Sequence, residues 1–250
     1  MYTLKKSLGQ HFLKDETISR RIIAALVQHP FQRLLEVGPG GGAITKYLVA
    51  LPGIEFRAIE IDHEKVLYLE KQFPAIQGKL IEADILSTES PFSEPFTMVG
   101  NFPYNISSQI LFRVLEWREN IEGVIGMFQK EVAERVASPA GSKVYGVTSV
   151  LLQAFFKIEY LFEVSETAFN PPPKVKSAVI RLRPLAEPVE IKSERSLFIL
   201  VKTAFNQRRK MLRNSVKGLF DPEVLEEDMF TKRPEQITVA EFAALTFRMR

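Results

Sequence analysis

Hydrophobic positions along the chain alternate between short continuous apolar runs and longer stretches with apolar residues three or four apart. Behind Asp15, the residues Ile18, Ile22, Ile23, Leu26 and Val27 recur at helical spacing and stop near Pro30, which predicts a helix capped by Asp15. Leu34-Leu35-Glu36-Val37 reads as a buried strand that runs into Gly38-Pro39-Gly40-Gly41-Gly42 and a helical stretch from Ala43 to Leu51. Further strands are predicted at 56–61, 79–83, the run Phe96, Met98 and Val99, and 123–128. Helices are predicted at 106–117, 129–136 and 147–155. A sixth strand near 156–164 and a seventh at 175–182, antiparallel to it, flank a stiff proline loop from Ala168 to Lys174. Strands alternating with helices predict an α/β fold with a doubly wound, mostly parallel sheet. The carboxyl ends of its strands then form one ligand-binding rim.

Four predicted strand ends carry chemistry. The glycine-rich turn opening a helix is the arrangement in which backbone approaches a phosphate or carboxylate closely. Glu60 ends the next strand about twenty residues on, where a carboxylate binds ribose hydroxyls. Asp84 follows the third strand and is placed either to accept from an adenine amino group or to cap a helix. Asn101-Phe102-Pro103-Tyr104 follows the fourth. Its Asn oxygen and a carbonyl fixed by Pro103 make two acceptors at a set spacing beside an aromatic ring. That set suits a planar exocyclic amine: with both N–H bonds drawn to the acceptors, the nitrogen lone pair can be aimed at an electrophile while Tyr104 stacks on the base, as in methylation of adenine N6. Gly38-x-Gly40-x-x-Ala43 also fits a nicotinamide dinucleotide fingerprint, whereas Glu36 just before the glycines favours S-adenosylmethionine.

Composition narrows the classes. The 250 residues are 46% hydrophobic and 25% charged, enough for one large core and a small second domain. No cysteine is present and the histidines His11, His29 and His63 are scattered, so neither a thiol nucleophile nor a metal cluster is expected. No run reaches the ~18 apolar residues of a membrane span, and the N-terminus lacks a signal-peptide core, which predicts a cytoplasmic protein with no membrane partner. The first residues, Lys5-Lys6-Ser7-Leu8-Gly9-Gln10-His11-Phe12-Leu13, read as an ordered arm. A net charge of +3 permits a nucleic-acid partner. Composition shifts after about Pro184: residues 196–220 carry Lys202, Arg208, Arg209, Lys210, Arg213 and Lys217 with no acid, followed by an acidic stretch at 221–228. Such a basic run is either a solvated helix face or a phosphate-binding stripe.

The motifs Gly9-Gln10-His11-Phe12-Leu13, Glu36-Val37-Gly38-Pro39-Gly40, Ile59-Glu60-Ile61-Asp62, Asn101-Phe102-Pro103-Tyr104-Asn105-Ile106-Ser107, Gln129-Lys130-Glu131-Val132, Phe169-Asn170-Pro171-Pro172-Pro173-Lys174-Val175 and Ala204-Phe205-Asn206-Gln207-Arg208-Arg209-Lys210 occur in this order along the chain. Together they make it resemble the rRNA adenine N6,N6-dimethyltransferases of the kasugamycin-resistance family. Many members have Asn at the position of His11 and Leu at that of Phe102. The resemblance implies a Rossmann-like class I methyltransferase domain with a seven-stranded, mostly parallel sheet at 1–184, and a helical RNA-binding domain at 185–250. It implies that His11, Leu13, Gly38, Gly40, Glu60, Asp84 and Asn101 line an S-adenosylmethionine site with no metal. Asn101, Pro103 and Tyr104 would form the catalytic set, with Tyr104 and Phe169 against the base and Arg208, Arg209 and Lys210 on RNA. The implied product is N6,N6-dimethyladenosine at two adjacent adenosines in the terminal hairpin loop of small-subunit (16S) rRNA, made by a monomer acting on an immature 30S-type particle.

Three other readings stay open on sequence. They are a large-subunit rRNA dimethyltransferase, a ribosome-assembly factor without turnover, and a nicotinamide oxidoreductase. A methyl-transfer assay on immature small subunits separates the second, and calorimetry with S-adenosylmethionine and NAD the third.

Overall fold

The computed structural model describes residues 11–250; Lys5, Lys6, Gly9 and Gln10 of the predicted arm lie outside the described residues. The described end of the arm is a short strand, β1 (Phe12–Leu13), leading into α1 (Glu16–Leu26). The Asp15 side chain accepts from the Thr17 N–H at 2.8 Å, as its capping role requires. Ile18, Ile22, Ala25 and Leu26 form the buried stripe of α1.

Next come β2 (Arg33–Val37), α2 (Thr45–Leu48), β3 (Glu55–Glu60), α3 (His63–Gln72), β4 (Leu80–Glu82) and β5 (Phe96–Asn101). They are followed by α4 (Ser107–Glu116), β6 (Ile121–Gln129), α5 (Lys130–Ala137), α6 (Val147–Gln153), β7 (Phe156–Val164), β8 (Phe169–Asn170) and β9 (Ser177–Pro184). Seven of the strands form one sheet in the order β4-β3-β2-β5-β6-β9-β7. β4, β3, β2, β5 and β6 pair in parallel, and β9 runs antiparallel to β6. The predicted last strand neighbours its predecessor but is wedged between β6 and β7, so its Ala178, Val179, Ile180 and Leu182 are all buried.

Two local expectations changed. The helix predicted after the glycine turn is a single turn, because beyond α2 the bonds close i to i+3, from Ala50 N–H to Tyr47 O at 3.3 Å and from Leu51 N–H to Leu48 O at 3.1 Å. A four-residue helix adds little dipole, so ligand approach there rests on the turn backbone itself. The proline loop is not free: Leu13 pairs with Phe169 and Phe12 with Asn170 in a two-stranded β1–β8 sheet.

Gly100 sets the path of β5 into the Asn101 loop. A Cβ there would lie 2.6 Å from the Val37 carbonyl oxygen and 2.7 Å from the Phe102 ring, so only glycine lets these strands and that buried ring coexist.

By internal contacts the chain divides into two compact units. One is Met1–Ala133 with Glu159–Arg183, the other Glu134–Ile158 with Pro184–Arg250. Composition marks only the boundary near Pro184. The first unit holds the sheet and its core, including Ile22, Leu34, Phe56, Met127 and Phe169. The second is helical, built on α7 (Glu194–Phe205), α8 (Leu212–Val216), α9 (Pro222–Leu225) and α10 (Val239–Thr246). Leu197, Leu200, Val201 and Ala204 of α7 share one buried face at helical spacing, and α7 packs against α6, α8 and α10. Among the described residues no helix is long and apolar enough to cross a membrane.

Candidate active site

A cavity of about 280 Å³ opens at the carboxyl ends of β2 to β5 in the first unit. Since β4, β3, β2 and β5 are consecutive in the sheet, Asp84, Glu60, Gly38 and Asn101 line up along its rim over about 14 Å, three strand spacings. His11, Leu13, Gly40, Pro103 and Tyr104 also line it.

The glycine turn is held by Glu60, which is only 5% exposed. Its Oε2 accepts the Gly40 N–H at 3.2 Å and its Oε1 the Asp62 N–H at 3.0 Å. Each carboxylate oxygen keeps a further acceptor position. Gly40 has φ +57°, and a Cβ on it would stand 3.2 Å from the Phe12 ring, so a side chain would be strained and crowded there. Asp84 borders the cavity, and its Oδ1 accepts the Leu86 N–H at 2.9 Å in a turn rather than at the start of a helix.

Glu36 lies beneath the turn, fully enclosed, with no hydrogen-bond partner on Oε2. Burial pushes its carboxyl up to about 8; the nearby Thr45 hydroxyl opposes the rise and the Glu60 charge adds to it. The folded chain therefore holds this proton more tightly than the unfolded chain. Stability is expected to fall as pH rises from about 4.5 to about 8, by at most about 1.4 kcal/mol per pH unit. Thermal denaturation across that window checks this: Glu36→Gln should flatten the decline, and an unchanged slope would rule it out.

At the other end of the rim, the Asn101 amide is oriented by the arm. Its Nδ2 donates to the His11 carbonyl at 3.1 Å, which leaves Oδ1 as the free acceptor. The His11 ring donates from Nδ1 to the Pro171 carbonyl at 2.9 Å and lies 5.3 Å, centroid to centroid, from the Tyr104 ring. The Tyr104 hydroxyl bonds Ser177, and burial raises its pKa. The Pro103 carbonyl accepts the Ile106 N–H at 3.3 Å. The buried Ser107 hydroxyl stands 3.1 Å from both the Pro103 and Tyr104 carbonyl oxygens.

Other predicted positions lie elsewhere. Phe169 is fully buried in the core of the first unit and does not line the cavity, because its pairing with Leu13 turns it inward. In the second unit, Arg208 donates to the Ser142 carbonyl at 3.4 Å and to that of Lys143, with its Nε 3.9 Å from Glu235. Arg209 and Lys210 are exposed and have no ion-pair partner among the described residues.

Sequence reasoning missed Lys65, 3% exposed on α3, whose Nζ is 4.0 Å from Asp62 and 5.1 Å from the centre of the Phe12 ring at the cavity wall. Phe12 carried a signal in the arm motif; Lys65 carried none, since its inward turn depends on how α3 docks. Among the described residues no cluster of His, Asp or Glu is arranged to hold a metal ion.

The family model for ribosomal RNA adenine dimethylase matches residues 1–245. The chain is 51% identical over 246 residues to the ribosomal RNA small subunit methyltransferase A of Flavobacterium johnsoniae, covering 97% of this chain and 94% of that protein. It is 48% identical over 252 residues to the protein of that name from Porphyromonas gingivalis, covering 98% and 97%. Among solved structures it resembles a dimethyladenosine transferase from Plasmodium falciparum, with a TM-score of 0.78, 26% identity and coverage of 93% and 94%. It also resembles the 23S rRNA methyltransferase ErmE, with a TM-score of 0.71, 27% identity and coverage of 93% and 99%. With the sheet order, the glycine turn and the Asn-Phe-Pro-Tyr loop meeting at one rim, and with a family match spanning nearly the whole chain, this protein belongs to the ribosomal RNA adenine dimethylase family.

Proposed function

We propose that the chain uses S-adenosylmethionine to methylate N6 of two adjacent adenosines in the terminal hairpin loop of small-subunit rRNA, giving N6,N6-dimethyladenosine. The observation that carries this reading is the Asn101 amide: with Nδ2 committed to His11, Oδ1 is an acceptor for one N–H of the amine. A backbone carbonyl of the same loop receives the other, and Tyr104 stacks on the base.

The cavity suits the methyl donor. The turn at Gly40 gives backbone access that a side chain would close, and Glu60 offers acceptors for a ribose diol. When bound, S-adenosylmethionine would supply an electrophilic methyl, the sulfur keeping the electron pair of the C–S bond as the methyl passes to N6, and the surplus N6 proton would be lost to solvent once the product leaves the site. The residues of the chain orient the amine and exclude water, and in-line positioning of this kind is worth up to ~7–11 kcal/mol.

The small-subunit substrate is favoured by relatives that carry that name along nearly their full length. We take the substrate to be an immature particle and the enzyme to be monomeric and cytoplasmic. The test is mass-spectrometric mapping of rRNA methylated in vitro, with particles from a strain lacking the activity as substrate. Dimethyladenosine in small-subunit RNA supports the reading. Modification of large-subunit RNA alone would favour the alternative to which the likeness to ErmE points.

RNA contact by the second unit rests on Arg209 and Lys210, because the Arg208 guanidinium is occupied internally. Arg209→Ala with Lys210→Ala is expected to weaken particle binding and reduce the salt slope by up to about two units, with S-adenosylmethionine affinity unchanged. Arg208→Ala should instead lower thermal stability. A salt slope unaltered by the double substitution would make the segment a solvated turn with no RNA contact.

A further inference from the structure

The cavity occupies the rim of the sheet from β4 to β5, and the sheet continues past Asn101 and Tyr104 through β6, β9 and β7. On that continuation three charged side chains of the first unit meet. Lys130 directly follows β6, Lys176 directly precedes β9, and Glu163 is the penultimate residue of β7. Glu163 Oε1 accepts from Lys130 Nζ at 2.5 Å, and its Oε2 lies 3.5 Å from Lys176 Nζ. The Lys130 N–H donates to the Lys176 carbonyl at 2.9 Å, which fixes the two lysines side by side. Ser177, next in the chain to Lys176, holds the Tyr104 hydroxyl. The cluster is therefore built onto the support of the ring beside Asn101, with β6 and β9 standing one and two strand spacings, about 5 and 10 Å, from β5.

Two ammonium groups on one carboxylate leave these three residues with a charge of +1. The bond from Lys130 holds the Glu163 carboxyl below its ordinary pKa, so it is ionised at neutral pH. The side chains of Lys130, Lys176 and Glu163 are 33%, 53% and 42% exposed, so water screens the two pairs and an incoming anion can reach them. Exposed pairs of this kind add little to stability. Exchange of the carboxylate for another anion is correspondingly easy, and a phosphodiester offers two acceptor oxygens in its place.

We propose that Lys130 and Lys176 bind the RNA phosphate beside the target adenosine, and that Glu163 holds the two ammonium groups in position until the RNA displaces it. This inference rests on the proposed reaction at Asn101 and Tyr104. A base drawn out of its stack into a pocket leaves its phosphates on the rim outside. On one side of Asn101 the rim carries the carboxylates of Glu60 and Asp84, which repel a phosphate; on the other it carries the two lysines. A contact to phosphate reads no sequence, but it fixes where the backbone runs and hence which base can enter.

The test measures KM for immature particles across a salt series. Lys130→Gln with Lys176→Gln is expected to raise KM about tenfold and to lower its salt dependence by about one unit, with S-adenosylmethionine affinity unchanged. Glu163→Gln removes the competing anion and should lower KM several-fold. To place the contact, particles are assembled on RNA carrying one neutral methylphosphonate linkage on either side of the target adenosine. At one of the two positions that linkage should raise the wild-type KM about tenfold and cost the double lysine variant little more. An unchanged KM in the double variant, a Glu163→Gln variant no tighter than wild type, or a methylphosphonate loss that adds in full to that of the double variant would overturn the proposal. A wild-type enzyme that makes no N6-methylated adenosine would instead overturn the functional reading beneath it.

Discussion

Replacing Asn101 with alanine is expected to slow the first methyl transfer about 10²-fold or more. The substitution removes the acceptor Oδ1 and releases the His11 carbonyl from its bond to Nδ2, so amine and arm lose their alignment together. Asn101→Asp is no remedy, since its second oxygen would face the His11 carbonyl oxygen and two acceptors repel. A time course of adenosine, monomethyladenosine and dimethyladenosine by mass spectrometry with excess S-adenosylmethionine measures the loss. The same series separates the role of the ring: Tyr104→Ala should hurt the second transfer more than the first. Tyr104→Phe, which keeps the ring but not its bond to Ser177, should spare both. If Asn101→Ala stayed within a few fold of wild type, the amine would be held by other groups.

The second large effect is on the methyl donor. Glu60→Ala should weaken S-adenosylmethionine binding by one to two decades, about 1.5–3 kcal/mol. Because Glu60 also holds the Gly40 and Asp62 N–H groups, part of such a loss could come from a loosened turn. Calorimetry with a donor analogue lacking the ribose hydroxyls divides the two. If Glu60 binds the diol, the substitution costs the analogue much less than it costs S-adenosylmethionine. An equal loss for both would mean that Glu60 acts only by supporting the glycine turn.

Much of the site's frame was legible because it depends on local rules. Apolar runs of strand length, the clustered glycines and the Asn-x-Pro-Tyr loop each mark a strand end without knowledge of distant residues, and a parallel sheet then gathers the ends on one rim. The basic run at 196–220 was equally plain as composition, but composition does not say which cation is free. Arg208 is committed to carbonyls at Ser142 and Lys143, more than sixty residues earlier, while Arg209 beside it is exposed.

The sequence by itself thus determined the α/β alternation, the glycine turn, the order of Gly38, Glu60, Asp84 and Asn101 along the chain, and the resemblance that joins them. Only the tertiary structure decided that β9 enters between β6 and β7, that β1 pairs with β8, and that this pairing buries Phe169. It alone gave Asn101 a direction, through a bond to a residue 90 positions away, and set the Ser107 hydroxyl between two carbonyls. The reason is physical. Periodicity and turn chemistry act over a few residues, whereas the direction of a hydrogen bond and the burial of a ring depend on which remote segments meet, and side-chain types alone do not encode that register.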